Sequence, residues 1–121
     1  MKKKILFIED ERALQKTLGD YLKSEGYKVI SAFDGENALK LALSEEPDLI
    51  LLDLVIPKIT GFEVLEKLKN DQKTKSIPVI VLTNLEQPSD IDRALALGAT
   101  TYLVKANYSL EEVVEKIKSF I

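Results

Sequence analysis

The residues of this sequence that are best suited to chemistry are carboxylates, a hydroxyl and an amine that each follow a short hydrophobic run. They are Glu9, Asp10, Asp53, Thr83 and Lys105. The chain of 121 residues contains no cysteine and no histidine, so thiolate nucleophiles, imidazole bases and the usual ligands of transition metals are excluded. Oxygen ligands and a lysine remain, and these groups bind hard divalent cations and phosphoryl oxygens.

Three of these side chains, Glu9, Asp10 and Asp53, are acids that would repel one another in a single cleft. Taken singly, each acid is typical of a helix cap or a solvated surface. Two unit charges about 4 Å apart cost on the order of 4 kcal/mol at an effective dielectric constant near 20. Mg²⁺, which keeps several waters and binds one or two carboxylates plus a phosphate, would neutralise such a cluster together with Lys105. The set therefore predicts a pocket for a metal ion and a phosphoryl group.

Short apolar runs predict the strands that would carry these side chains. Ile5–Ile8, Leu49–Leu52 and Val79–Leu82 are bounded by polar residues and are typical of strands buried on both faces. Tyr27–Ser31 and Thr101–Val104 show weaker patterns, which suit strands near the edge of a sheet. Each candidate site residue then follows the carboxyl end of a strand.

Amphipathic segments between the strands predict five helices. The first keeps helical spacing from Ala13 to Leu22 and has Gly26 just past its end. Ser109 and Glu112 form a capping box before the last helix, whose apolar face runs from 110 to 120. The other three are predicted over 34–44, over 61–69 after the loop 57–60, and from a Ser89 cap to Gly98.

Five strands alternating with five helices predict a single α/β domain over residues 1–121. Such alternation requires crossover connections, and these give an open, doubly wound parallel sheet with helices on both faces. In these folds ligands bind outside the carboxyl ends of the strands. The acids, the hydroxyl and the lysine are therefore expected at one edge of the sheet.

Composition narrows the possible partners. The net charge of -3 and the pI near 5.1 argue against nucleic acid as the main ligand of this chain. The apolar run after the N-terminal lysines is only four residues long, Ile5–Ile8, far too short for a secretory core or a membrane span. We therefore expect a cytoplasmic protein without membrane contact.

Several motifs together resemble the receiver domain of bacterial two-component response regulators, over residues 3–120. The resemblance implies a five-stranded sheet in the flavodoxin-like order 2-1-3-4-5. It rests on order and spacing, and the matching segments are 5–11 (ILFIEDE), 47–57 (PDLILLDLVIP), Gly61, 78–83 (PVIVLT), Gly98-Ala99 and 102–105 (YLVK).

The resemblance implies that Asp53 accepts a phosphoryl group from a phosphohistidine on a sensor histidine kinase or a phosphotransfer protein. It also implies Mg²⁺ as the cofactor, bound directly by Asp10, Asp53 and the backbone carbonyl of Val55, with Glu9 acting through water. The chain would then be a signalling switch in a phosphorelay, and not an enzyme beyond its own phosphorylation and dephosphorylation.

Lys105, Thr83 and Tyr102 receive their roles from the same resemblance. Lys105 would pair with one phosphoryl oxygen, the hydroxyl of Thr83 would move to contact another, and Tyr102 would change its burial as Thr83 moves. Without the surrounding set, Thr83 would be a strand-end residue that satisfies a backbone group, Lys105 a solvated charge and Tyr102 a half-buried edge aromatic.

The sequence departs from the family pattern after the lysine, where Ala106 stands in place of a proline that is often cis. Because a cis bond before alanine costs about 3–4 kcal/mol, we predict a trans peptide here. Val55 and Leu85 lie two residues beyond Asp53 and Thr83. Both are apolar and cannot orient an attacking water, so slow self-dephosphorylation is expected.

The resemblance also implies a responsive face over residues 88–120, which would support a homodimer or a downstream partner. Since the sequence given ends at Ile121, we expect no output domain within it, and both a stand-alone regulator and a piece of a longer protein stay open.

Two other classes of function compete with the switch. One is a phosphate-independent scaffold of the same fold. The other is a flavin protein or an aspartate-nucleophile phosphatase, but the turn Arg12-Ala13-Leu14 has no glycines to cradle a phosphate, and the acids 9–11 read Glu-Asp-Glu rather than Asp-x-Asp.

Overall fold

A computed structural model describes residues 2–121 as five strands and five α-helices in alternation. The strands are β1 Lys4–Ile8, β2 Lys28–Ala32, β3 Leu49–Leu52, β4 Val79–Thr83 and β5 Thr101–Val104. The helices are α1 Arg12–Ser24, α2 Gly35–Glu45, α3 Gly61–Lys69, α4 Pro88–Ala96 and α5 Leu110–Phe120. A 3₁₀ turn, Lys105–Asn107, follows β5.

All strand pairs are parallel, and the sheet order is β2-β1-β3-β4-β5. This confirms the predicted doubly wound α/β class and the flavodoxin-like order. The two strands with the weaker hydrophobic patterns, β2 and β5, are the edge strands. Every residue of β3 and β4 is buried, because helices cover both faces of a parallel sheet.

The sheet separates two hydrophobic cores, since successive side chains of each strand point to opposite faces. On one face, Leu6 and Leu52 belong to a cluster with residues of α2, α3 and α4. On the other face, Phe7 and Leu51 pack with residues of α1 and α5. The helices are thus divided three and two between the faces, and the loops after β1, β3, β4 and β5 reach the same edge.

Several predicted boundaries were wrong by one or two residues. The first strand begins one residue earlier than expected, the fourth strand ends one residue later, the second helix is shifted by one residue, with Asp34 as its N-cap, and the fourth helix ends at Ala96 rather than at Gly98. The second strand was expected at 27–31 but runs over Lys28–Ala32, because the amide of Tyr27 still donates to Leu22 O at the end of α1. The fourth helix was expected to start from a Ser89 cap. It starts at Pro88 with Gln87 as its N-cap, since proline has the right φ for a first helical position and lacks an N–H that would need a partner.

Other local predictions are confirmed. Ser109 and Glu112 form the capping box of α5, and α3 covers 61–69 as expected. Gly26 and Gly98 have φ of 95° and 109° just past α1 and α4, a conformation that glycine adopts without a steric cost. No cis peptide bond occurs among residues 2–121, so the bond from Lys105 to Ala106 is trans as predicted.

Candidate functional site

A cleft of about 450 Å³ opens at the carboxyl edge of β1, β3 and β5. The residues that line it are Glu9, Asp10, Glu11, Asp53, Val55, Asn84 and Lys105. The structure therefore brings together the predicted acids, Val55 and the lysine. Of the predicted set, Thr83 and Tyr102 do not line this cleft.

Three of the four acids that line the cleft are placed for a shared cation. One carboxylate oxygen from each of Glu9, Asp10 and Asp53 lies within 4.8 Å of the others. Glu9 and Asp53 are 1% and 6% exposed, whereas Asp10 is open to solvent. All three ligands are hard oxygens, and one acid faces water, which fits a partly hydrated Mg²⁺.

Lys105 supplies the positive charge of the cleft. Its Nζ lies 2.7 Å from Glu9 Oε1 and 3.0 Å from Asp53 Oδ2. Only the contact with Asp53 has hydrogen-bond geometry. Glu9 Oε1 is buried, and the close ion pair with Lys105 is its polar contact among residues 2–121.

Burial and the contacts between Glu9, Asp53 and Lys105 together shift the pKa values of Glu9 and Lys105. Burial raises the pKa of Glu9 to about 7, and the negative charge of Asp53 adds to the rise, although Lys105 and the amide of Glu11 oppose it. For Lys105, burial lowers the pKa, but the contacts with Glu9 and Asp53 outweigh burial and raise it overall. Lys105 therefore stays charged, and its charge partly offsets the repulsion between the acids.

The backbone around Asp53 holds its carboxylate at the edge of the cleft. The amide of Val55 donates to Asp53 Oδ1 at 3.1 Å, and the amide of Gly61 donates to Leu54 O at 2.9 Å. A Cβ at Gly61 would lie 2.5 Å from Asp53 O and 2.4 Å from Leu54 Cα. The first residue of α3 must therefore be glycine for the helix to pack against the backbone of Asp53.

Thr83 and Tyr102 meet at Leu85 instead of in the cleft. Thr83 is fully buried, and its Oγ1 accepts from the amide of Leu85 at a long 3.4 Å. The hydroxyl of Tyr102 donates to Leu85 O at 2.8 Å. Burial raises the pKa of Tyr102 to about 12, with contributions from Asp90 and Asp53, so its hydroxyl keeps its proton at neutral pH.

Three residues near the acids were not predicted. Glu11 and Asn84 line the cleft, and the amide of Glu11 donates to Glu9 Oε2 at 3.0 Å. Gln15 is 6% exposed beneath the loop that carries the acids. Glu11 and Asn84 follow predicted site residues directly, which could have indicated them, whereas Gln15 is visible in the sequence only as a polar residue near the apolar face of α1.

Comparison with known proteins agrees with this geometry. The family described as response regulator receiver domain matches residues 5–118. The chain is 40% identical over 121 residues to the alkaline phosphatase synthesis transcriptional regulatory protein PhoP of Bacillus subtilis, but it spans only 49% of that relative. It is 35% identical over 121 residues to the polar-differentiation response regulator DivK of Brucella ovis, of which it spans 98%.

Solved structures show the same fold. The chemotaxis protein CheY4 of Vibrio cholerae matches with a TM-score of 0.92 at 28% identity, over 100% of both chains. The receiver domain of the sensor histidine kinase PA1611 from Pseudomonas aeruginosa, which was solved with a magnesium ion coordinated in its active site cleft, matches with a TM-score of 0.89 at 26% identity over 99% of this chain and 98% of that one. No helix among residues 2–121 has the length and hydropathy needed to cross a membrane. From the family match and the acids gathered in the cleft, the chain belongs to the response regulator receiver domain family.

Proposed function

We propose that this receiver domain is a signalling switch that accepts a phosphoryl group on Asp53. The observation that carries the proposal is the position of the Asp53 carboxylate, which hydrogen-bonds Lys105 at 3.0 Å and shares an oxygen cluster with Glu9 and Asp10. Phosphoryl transfer depends mainly on positioning and charge neutralisation. This cleft supplies both.

Mg²⁺ is the proposed cofactor, with Asp10, Asp53 and the carbonyl of Val55 as direct ligands and Glu9 acting through water. Two observations support the fit: the acid oxygens lie within 4.8 Å of one another, and Asp10 is open to solvent, as a partly hydrated ion requires. When bound, the metal would supply positive charge to the phosphoryl oxygens. The known magnesium site of the PA1611 receiver domain is consistent with this assignment.

The proposed transfer is a displacement at phosphorus. A carboxylate oxygen of Asp53 forms the new P–O bond as the P–N bond of a phosphohistidine breaks, and the leaving electron pair remains on the imidazole nitrogen. Lys105 already lies between Glu9 and Asp53, so its ammonium can exchange an acid oxygen for a phosphoryl oxygen. The donor would be a sensor histidine kinase or a phosphotransfer protein of the cytoplasm, and the chain would act as its substrate and partial catalyst.

Leu85 links the phosphorylation site to a second region in the proposed switch. The hydroxyl of Thr83 accepts a long hydrogen bond from the amide of Leu85, and Tyr102 holds the carbonyl of the same residue. A phosphoryl group adds roughly -1.5 to -2 charges and strong acceptor oxygens. If the hydroxyl of Thr83 moves toward the cleft to donate to one of these oxygens, its long contact with the amide of Leu85 is lost, and Tyr102 and α4 then change position. The responding face, residues 88–120, would bind a second copy or a downstream partner.

The direct test is to incubate the protein with Mg²⁺ and acetyl phosphate and to measure the intact mass. We expect wild type to gain one phosphoryl group, and Asp53→Asn to gain none. Replacing Asp20, an exposed acid on α1, by asparagine is the matched control and should leave the gain unchanged. A wild-type protein that gains no mass, yet binds a partner, would favour the phosphate-independent scaffold.

The phosphorylated form is expected to be long-lived. Val55 lines the cleft and is 57% exposed, and Leu85 is half-buried. Both side chains are apolar, so neither offers a polar group to an attacking water. The decay of the phosphorylated mass, followed after removal of acetyl phosphate, should take much longer than seconds. Complete loss within seconds without a phosphatase would contradict the expectation.

A further inference from the structure

Gln15 is a buried polar residue of α1 that reaches the ends of two strands. Its Nε2 lies 2.9 Å from Phe7 O, 3.0 Å from Glu9 O and 3.1 Å from Ala32 O. The residue is 6% exposed, and its Oε1 has no hydrogen-bond partner among residues 2–121. An amide that leaves its oxygen unpaired in the interior is costly, and it persists where the contacts of its nitrogen are needed.

Gln15 makes hydrogen bonds to the first and the last residue of the three-residue loop between β1 and α1. Its side chain donates to Glu9 O, and its backbone amide donates to Glu11 O at 3.0 Å. Asp10 lies between these two residues. The amide of Glu9 donates to Ala32 O at 2.9 Å, and Gln15 binds the same carbonyl. The side chain of Gln15 therefore connects the carboxyl end of the β1–β2 pairing to the loop that carries Glu9 and Asp10.

We propose that Gln15 is a positioning residue for metal binding by Glu9 and Asp10. It fixes the backbone of the acid loop before any cation arrives, so that the two carboxylates need not be ordered on binding. The inference rests on the proposed function, because it assumes that the acids bind Mg²⁺. Partners that orient metal ligands typically affect metal affinity by 10- to 100-fold when they are removed.

The chemistry of the site explains why glutamine suits this position. Its nitrogen meets three carbonyl oxygens, so the side chain must be a donor. A methionine of similar length would fill the space and lose all three contacts. A glutamate would turn an acceptor toward the carbonyls and add a further carboxylate near the acids of the cleft.

The test measures Mg²⁺ binding by calorimetry without any phosphoryl donor. We expect Gln15→Met to weaken Mg²⁺ binding on the order of tenfold, and Gln15→Glu to weaken it at least as much. Leu22→Ala is the matched control, because Leu22 is buried in the same helix far from the acid loop. It should lower the melting temperature but change the Mg²⁺ dissociation constant less than twofold.

The outcomes separate the two claims. Mg²⁺ binding by Gln15→Met that equals wild type would overturn the positioning role and leave the proposed function intact. Wild type that does not bind Mg²⁺ would overturn both. If Gln15→Met does not fold, side-chain amide resonances of wild type give a second test. The Gln15 signals should shift during a Mg²⁺ titration while those of the exposed Gln72 stay fixed, and unchanged Gln15 signals would contradict the role.

Discussion

Helices α3 and α4 have nine residues each and pack on the same face of the sheet, yet they are held very differently. Helix α3 buries Gly61, Phe62, Val64, Leu65 and Leu68, and its first residue touches the backbone of Asp53. Helix α4 buries Ala94 alone and leaves Leu95 46% exposed. Since local stability follows buried apolar contact, α3 is a fixed support for the proposed phosphorylation site, and α4 is the less firmly held of the two helices.

The same contrast separates the two sides of the site. On the acid side, Glu9 and Asp53 are joined to Lys105 by contacts of 2.7 and 3.0 Å. On the hydroxyl side, the side chain of Thr83 makes one long hydrogen bond within residues 2–121, at 3.4 Å from the amide of Leu85. The proposed switch needs a firmly held place to receive the phosphoryl group and a weakly held element to respond. The acids of the cleft and the Thr83–Leu85 contact beside it would meet these needs separately.

The largest expected effect compares a buried leucine of α3 with an exposed leucine of α4. Leu65→Ala should lower the free energy of unfolding by about 2–5 kcal/mol, because it leaves a cavity in the core. Leu95→Ala should change it by less than about 0.5 kcal/mol. Urea denaturation measures the free energy of unfolding of both variants. Equal losses for the two would contradict the claim that α3 is held more firmly than α4.

The second-largest expected effect is a pH dependence of the stability, and it arises from Glu9. Burial raises the pKa of Glu9 from 4.5 to about 7 in the folded protein, so between these values the folded state holds a proton that the unfolded state has released. The contribution of Glu9 to the free energy of unfolding should therefore be fully present below pH 4.5. It should fall as the pH rises to 7, by up to about 3 kcal/mol.

Denaturation of Glu9→Gln over the same pH range is the control for this effect. The glutamine does not titrate, so the variant should lose most of the slope. Thr83 and Tyr102 should add no pH dependence over this range, because Thr83 does not titrate and the pKa of Tyr102 is about 12. An unchanged slope in Glu9→Gln would assign the pH dependence to another group.

A smaller effect tests the contact between α3 and Asp53. Gly61→Ala should destabilise the fold by about 1–3 kcal/mol, because the new Cβ would lie 2.5 Å from Asp53 O. Gly19→Ala in α1 is the control, since a Cβ there meets nothing within 4 Å, and it should stabilise the protein by about 0.5–1 kcal/mol. Thermal denaturation compares the pair, and a harmless Gly61→Ala would mean that α3 is not tightly fixed.

The smallest effect concerns the link between the two helices. Arg93 of α4 lies over the ring of Phe62 of α3, with 4.1 Å from Cζ to the ring centroid. Arg93→Ala should cost about 0.5–1 kcal/mol through the lost cation–π contact. Amide exchange should rise across α4 but not α3, and equal increases in both would show that α4 is not held independently.

Sequence patterns predicted most of this architecture because its buried strands and capped helices have strong local signals. The apolar run of β3 and the capping box of Ser109 needed no tertiary information. The start of β2 was missed by one residue because an edge strand is only half-buried, so the pattern fades at Tyr27. The start of α4 was missed because Ser89 and Pro88 are both good N-terminal residues and only the backbone decides between them.

The functional site was predicted from the sequence only in part. Strand ends located Glu9, Asp53 and Lys105, because parallel strands bring their carboxyl ends to one edge. Thr83 was expected in the cleft, but its hydroxyl contacts the amide of Leu85 instead, and no local pattern of the sequence records that contact. Gln15 was missed because its role depends on carbonyls from two strands, and no local pattern records that contact.

Hydrogen exchange by mass spectrometry, with Mg²⁺ and acetyl phosphate, tests most directly whether one side receives the phosphoryl group while the other responds. Phosphorylated wild type should show changed exchange in α4 and β5, with α3 unchanged, and Asp53→Asn under the same conditions should show neither change. Altered exchange in α3 with none in α4, or equal changes in Asp53→Asn, would contradict the account.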